Sequence, residues 1–170
     1  GYYDSKTSDN AVGCYHLQLP QTYATFEEAS AAAAQYSDGF PAWIDGRYYV
    51  RVGAYLDSTS AQAAQASLGL TGATVAGTSG AGISVVKTGT NTVLFEFDST
   101  SGLYLAVKPG RDDTVKAETY FRGYSYFGAF EYRRNGGDIT VVNVLSMDDY
   151  LQGVIVQEMS PSWPLEALKA

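Results

Sequence analysis

"YYVRVGAYLDSTSAQAAQASLG", Tyr48 to Gly69, joins two periodicities, and its reading decides the fold. In the first part Val50 and Val52 fall on one side and Tyr49 and Arg51 on the other, the period-2 alternation of a half-buried strand. "DSTSAQAAQASLG" (57–69) then opens on capping residues, runs through alanines that favour helix, and closes on Gly69.

The same order occurs upstream. "CYHLQL" (14–19) alternates, with Tyr15, Leu17 and Leu19 against His16 and Gln18. "TFEEASAAAAQY" (25–36) follows, with Thr25 as N-cap and Glu28 completing a capping box. Leu17 and Val50 are thus equivalent positions, 33 residues apart (50 − 17). "ATVAG" (73–77), "GISVVK" (82–87) and "TVLFEF" (92–97) read as further strands. The turn "GTSGAG" (77–82) lacks the Lys-Ser/Thr of a phosphate loop and precedes no helix, so a flexible hairpin is expected.

From Gly102 the character changes. "LYLAV", "KAETYF", "SYFGAFEYRR" and "DITVVNVL" are expected strands, and Asn135-Gly136 marks a hairpin. Helix returns at Ser146. The predicted class is α+β: a small βαβ-repeat module over 13–98, then a β-rich segment over 103–170 that ends in a helix. "DSTSG" (98–102) is the seam, and 1–12 form a loose polar lead.

Composition bounds the function. Hydrophobic residues make up 45% and charged residues 17%, which suits a packed core rather than disorder. A net charge of −7 disfavours nucleic acid and anionic lipid as partners. No apolar run approaches the ~18 residues of a membrane span. Cys14 is the single cysteine, which excludes an intramolecular disulfide. Cys14 and His16 fall short of a zinc ligand set, so no metal or cofactor is expected and Cys14 is read as strand-packed. The Gly-Tyr-Tyr start, without Met or signal peptide, suggests a processed piece of a longer protein.

Residues 14–97 resemble the SPOR domain, a small module that binds peptidoglycan glycan strands stripped of peptides. The likeness rests on "YYVRVGAYLDSTSAQAAQASL", where a V-x-V-G-x-[FY] strand precedes a helix opening near Ser. "YHLQLPQTYATFEEA" matches more loosely, with Pro20 where the pattern favours Gly. If helices cover the Leu17, Leu19, Val50 and Val52 face, the opposite face stays open and presents His16, Gln18, Tyr49 and Arg51. Tyr would stack on sugar, and Gln and Arg would donate to its oxygens. The same four residues also make an ordinary solvated face.

The last stretch, "SMDDYLQGVIVQEMSPSWPLEALKA" (146–170), opens with Ser146 as N-cap and Asp148 and Asp149 in the first turn. Met147, Leu151, Val154 and Ile155 make an apolar stripe, and Glu158 continues it at the helix C-terminal end. Burial and the helix dipole would both favour the protonated acid there, the state a general acid needs. Trp163 is suited to desolvate that acid or to stack on a sugar. From spacing alone, a frayed helix end with Glu158 turned into water is the plainer reading.

This stretch also closely resembles the opening of the SpoIID/LytB domain, N-x-[LV]-x-[LM]-[ED]-[ED]-Y-L-x-G-V-[VI]-x-x-E-M followed by W/F-P-x-E-A-L-K-A. Asn143, Tyr150, Leu151, Gly153, Val154, Glu158, Met159, Trp163, Pro164 and Glu166 through Ala170, with Leu165 at the pattern's free position, follow it. The resemblance implies a lytic transglycosylase acting on denuded peptidoglycan, with Glu158 as catalytic acid, or an amidase enhancer of the LytB type. It implies an extracytoplasmic location in a bacterium and a wall amidase or sporulation or division protein as partner. "PLEALKA" carries no C-cap, so the chain is expected to stop inside a helix of a longer catalytic domain, with the activity expected of the full-length protein. A purely structural envelope protein is the third reading.

Overall fold

A computed structural model describes residues 11–110, 118–135 and 137–158; the side chains of 135 and 156–158 are outside that set. The described chain forms two compact units. One comprises 11–105 with Tyr132–Thr140, and the other Ala106–Glu131 with 141–158.

In the first unit β1 (Tyr15–Tyr23), α1 (Phe26–Ala33), β2 (Gly39–Ile44), β3 (Arg47–Tyr55), α2 (Ser58–Leu68) and β4 (Thr74–Gly77) follow one another. Their strands lie in the order β4-β1-β3-β2 and pair antiparallel. This is the split βαβ arrangement of ferredoxin-like folds. Both helices pack on one face, over Leu17, Leu19, Val50 and Val52, with Ala33 from α1 and Ala61 from α2 closing the contact. Each fully buried Leu or Val there contributes roughly 1.5–3 kcal/mol.

The helices begin where the capping residues put them. Thr25 Oγ1 accepts from the Glu28 backbone N–H at 3.2 Å, and Glu28 reaches back to the Ala24 N–H at 3.1 Å. Asp57 accepts from the Ser60 N–H at 2.7 Å, which holds its carboxyl below the usual value, and Gly69 ends α2 in the left-handed conformation. Pro20 sits inside β1, an internal strand, at a register shift between Gln18 and Thr22, where a missing donor is tolerated.

Two strands extend the sheet beyond β2. β6 (Val93–Asp98) pairs parallel with β2, and β5 (Ile83–Val86) pairs antiparallel with β6. The full order is β4-β1-β3-β2-β6-β5, so the expected β4–β5 hairpin does not exist: the two strands form opposite edges. The Thr78–Gly82 connection must span them. Five gaps of ~4.8 Å place the edges of a flat sheet ~24 Å apart, whereas six extended residue steps reach ~21 Å at most. The sheet therefore curls toward the connection, and the face opposite the helices is closed rather than open.

Further along lie β7 (Leu105–Val107), β8 (Glu118–Phe121), β9 (Tyr124–Phe127), β10 (Ala129–Asn135), β11 (Asp138–Val144) and α3 (Met147–Glu158). A three-stranded sheet orders β11-β10-β7, and β8 pairs with β9 across Arg122-Gly123, both at positive φ as a tight hairpin turn requires. "SYFGAFEYRR" is two strands rather than one. Gly128, at φ +85°, interrupts it, and a Cβ there would stand 2.3 Å from the Val144 carbonyl. Phe121, Tyr126 and Phe130 pack together, with Phe130 buried.

Candidate functional site

The closed face of the first unit is polar inside. His16, Arg51 and Glu96 are 0%, 3% and 0% exposed, so His16 and Arg51 do not lie on an open binding surface as the sequence led us to expect. The curl, and the passage of Thr78 and Ser79 over this face, cover them. Gln18 and Tyr49 are half-buried. Cys14 is also corrected: it is exposed, with its carbonyl accepting from the Thr78 N–H at 2.8 Å.

Arg51 donates from Nε and Nη2 to Gln18 Oε1 at 3.1 and 2.9 Å, and its Nη1 stands 2.8 Å from Glu96 Oε1. That approach is too bent for a directed hydrogen bond, so among the described residues neither Glu96 oxygen nor Arg51 Nη1 makes one. His16 Nδ1 donates to the Gly53 carbonyl at 2.8 Å, while Nε2 faces Thr78 Oγ1 at 3.2 Å and Glu96 Oε2 at 3.4 Å. Burial pushes the His16 imidazole below its ordinary 6.5, outweighing the Glu96 carboxylate and the Gly53 hydrogen bond, which pull it upward; Arg51 adds to the lowering. The imidazole is therefore neutral at pH 7, with its proton on the nitrogen that meets the carbonyl.

Thr78 and Ser79 are tied down from several sides. The Ser79 N–H donates to Asp98 Oδ2 at 2.7 Å, Ser79 Oγ also bonds Asp98, and Arg134 Nη1 donates to the Ser79 carbonyl at 3.2 Å. Glu96 and Asp98 were missed by sequence reasoning. A lone carboxylate between Phe95 and Phe97 in an apolar strand was the available signal, matched by a lone Arg51 between two valines.

In the second unit α3 starts as the sequence indicates. The Asp149 N–H donates to Ser146 Oγ at 3.2 Å, and the Tyr150 N–H to the Ser146 carbonyl at 3.0 Å. Asn143 donates through Nδ2 to the carbonyls of Phe127 and Ala129, at 3.0 and 3.1 Å, clamping the backbone on both sides of Gly128. Glu158 ends α3. Its side chain, like the whole of Trp163, lies outside the described residues. Of the stripe leading to it, Met147, Leu151 and Ile155 are 69%, 44% and 46% exposed and Val154 is half-buried. The two groups of residues singled out from sequence thus belong to different units: His16, Gln18, Tyr49 and Arg51 to the first, Glu158 to the second.

Among the described residues no cluster of His, Cys, Asp and Glu could hold a metal ion, and no helix is long and apolar enough to cross a membrane.

Residues 135–170 match the family described as Stage II sporulation protein, SpoIID. The match takes in β11 and α3 and supports a SpoIID-type domain at this end of a protein related to sporulation or the cell wall. The chain is also similar to an uncharacterized protein of Brachyspira hyodysenteriae (strain ATCC 49526 / WA1), 46% identical over 48 residues. That stretch is 28% of this chain and only 13% of the relative's length. No solved structure matches the chain.

Proposed function

We propose that this chain belongs to an exported bacterial protein that binds and remodels peptidoglycan, in the manner of a SpoIID-type lytic transglycosylase acting on denuded glycan. The observation that carries this reading is the SpoIID match over 135–170, which spans the Glu-Met pair at Glu158 and Met159. In the proposed reaction Glu158 protonates the glycosidic oxygen as the C1–O bond breaks. The resulting carboxylate takes the proton from the muramic acid 6-hydroxyl as O6 bonds to C1. Proton and bonds balance without water, so one carboxylate suffices, the second nucleophile being the sugar's own.

The β1-α1-β2-β3-α2-β4 order supports a SPOR-like glycan-binding module over 13–98. A second reading, a non-catalytic amidase enhancer of the LytB type, draws support from the exposed stripe Met147, Leu151 and Ile155, which suits a protein partner. Retention of the full-length protein on denuded against intact sacculi tests the wall-binding part. Preferential retention on denuded glycan is expected, and equal retention on both contradicts a SPOR-type role.

A further inference from the structure

Each helix of the first unit covers about two strands: α2 lies chiefly over β4 and β1, and α1 over β3 and β2. Helices packed ~10 Å apart on strands ~4.8 Å apart give this spacing. β6 and β5 continue the sheet by two more strands, a further ~10 Å of width, and neither helix lies over them.

The helix-side surface of this pair is apolar and reaches solvent. Phe26, the first residue of α1, sets its ring 5.8 Å from Phe95 of β6 and 6.3 Å from Tyr48 of β3, yet is 42% exposed. Val85 of β5 pairs with Phe95, and the register slips beside it at Leu94; Val85 and Leu94 are 37% and 49% exposed. Between α1 and the start of β6 runs a cleft of about 310 Å3. Ser30, Ala33 and Ala34 wall it on the α1 side, small enough to let another backbone approach, and Leu94 lines it opposite. Asp38 is the single charged residue in its lining.

We propose that this strip docks one basic amphipathic helix of a partner protein. The apolar face of that helix lies on Phe26, Val85 and Leu94, and a Lys or Arg on its rim meets Asp38. Dimensions select the occupant. The strip is ~10 Å wide and, along the six residues of β6, ~20 Å long, which is the diameter of a helix and the length of ~13 helical residues. It offers ~200 Å2 in plan, well short of the ~800 Å2 that each partner commits to a stable dimer, so a second copy pressed against it is poorly held. Charge selects the polarity of the partner. The chain carries −7, and no basic side chain lines the cleft, so an acidic helix is repelled and a basic one is steered in. The assignment is independent of what the second unit does.

The test is titration of the full chain with a synthetic helix-forming peptide of about 14 residues, Leu on one face and Lys on the other, followed by amide NMR. Shifts centred on Phe26, Val85 and Leu94 are expected. Affinity should fall roughly tenfold in Leu94→Ala, whose half-exposed side chain can be shortened without loss of the fold. It should fall about two- to fivefold in Asp38→Asn, which keeps the left-handed backbone at φ +58° that Asn tolerates. A version of the peptide with Glu for Lys should bind more weakly. Equal binding of both peptides, an affinity indifferent to Leu94→Ala, or shifts centred on α3 overturns the proposal, as does no binding at millimolar peptide. Self-association of the chain that is lost in Leu94→Ala, measured by sedimentation, also overturns it and gives the strip to a second copy.

Discussion

Arg51 Nη1 stands 2.8 Å from Glu96 Oε1 although their strands are not neighbours; β2 runs between β3 and β6. Arg51 projects past Phe40 and Ala42 on the concave face, which brings the carboxylate of the added strand β6 against the four-stranded unit. The pair is buried, and its worth lies in the cost of breaking it rather than in making it.

Removing one partner leaves a buried charge alone. Glu96→Gln is expected to lower stability by about 3–5 kcal/mol, and the double change Glu96→Leu with Arg51→Met to recover part of that loss. Urea denaturation of the wild type and these two variants measures both. An unchanged midpoint in Glu96→Gln contradicts the placement of this pair.

His16 gives the fold a pH dependence with a definite sign. Its neighbours are Glu96, Arg51, the Thr78 hydroxyl, the Gly53 carbonyl and the edge of Phe40, whose ring centroid is 5.1 Å away. The unfolded chain takes up a proton near the ordinary value of 6.5, which the folded imidazole, pushed lower, resists. The His16 contribution is therefore present above pH 6.5 and is lost as pH falls below it. Denaturation midpoints between pH 8 and 5 should decline on the acid side, and a His16→Gln variant that retains the Gly53 hydrogen bond should decline less.

Much of the helix-bearing architecture was legible, and the reasons are local. Thr25, Asp57 and Ser146 announce helix starts by their own chemistry, and the Leu17, Leu19, Val50 and Val52 alternation identifies the helix-covered face. β2 was not legible. "GFPAWI" (39–44) does not alternate, because Phe40, Pro41 and Ala42 are buried on both faces, and Pro41 argues against a strand. The closed face was missed for a topological reason: local sequence does not reveal that β4 and β5 stand at opposite edges. His16 and Arg51 then read as surface residues. In the second unit, the stripe on α3 was legible, but periodicity alone does not say whether anything covers it.

Asn143 offers a test of the second unit independent of catalysis. Asn143→Leu removes both hydrogen bonds to the carbonyls flanking Gly128 and is expected to cost about 1–3 kcal/mol. Amide exchange should rise around Gly128, while the first unit's amides around Leu17 and Val50 keep their protection. A variant as stable as the parent contradicts the clamp.

The most direct measurement is mass spectrometry of products after the full-length protein and its Glu158→Gln variant are incubated with denuded glycan. The wild type is expected to release fragments with 1,6-anhydro-muramic ends and the variant to be slower by roughly 100-fold or more. Equal yields from both, or no anhydro product from either, would contradict Glu158 as the group that carries the proton.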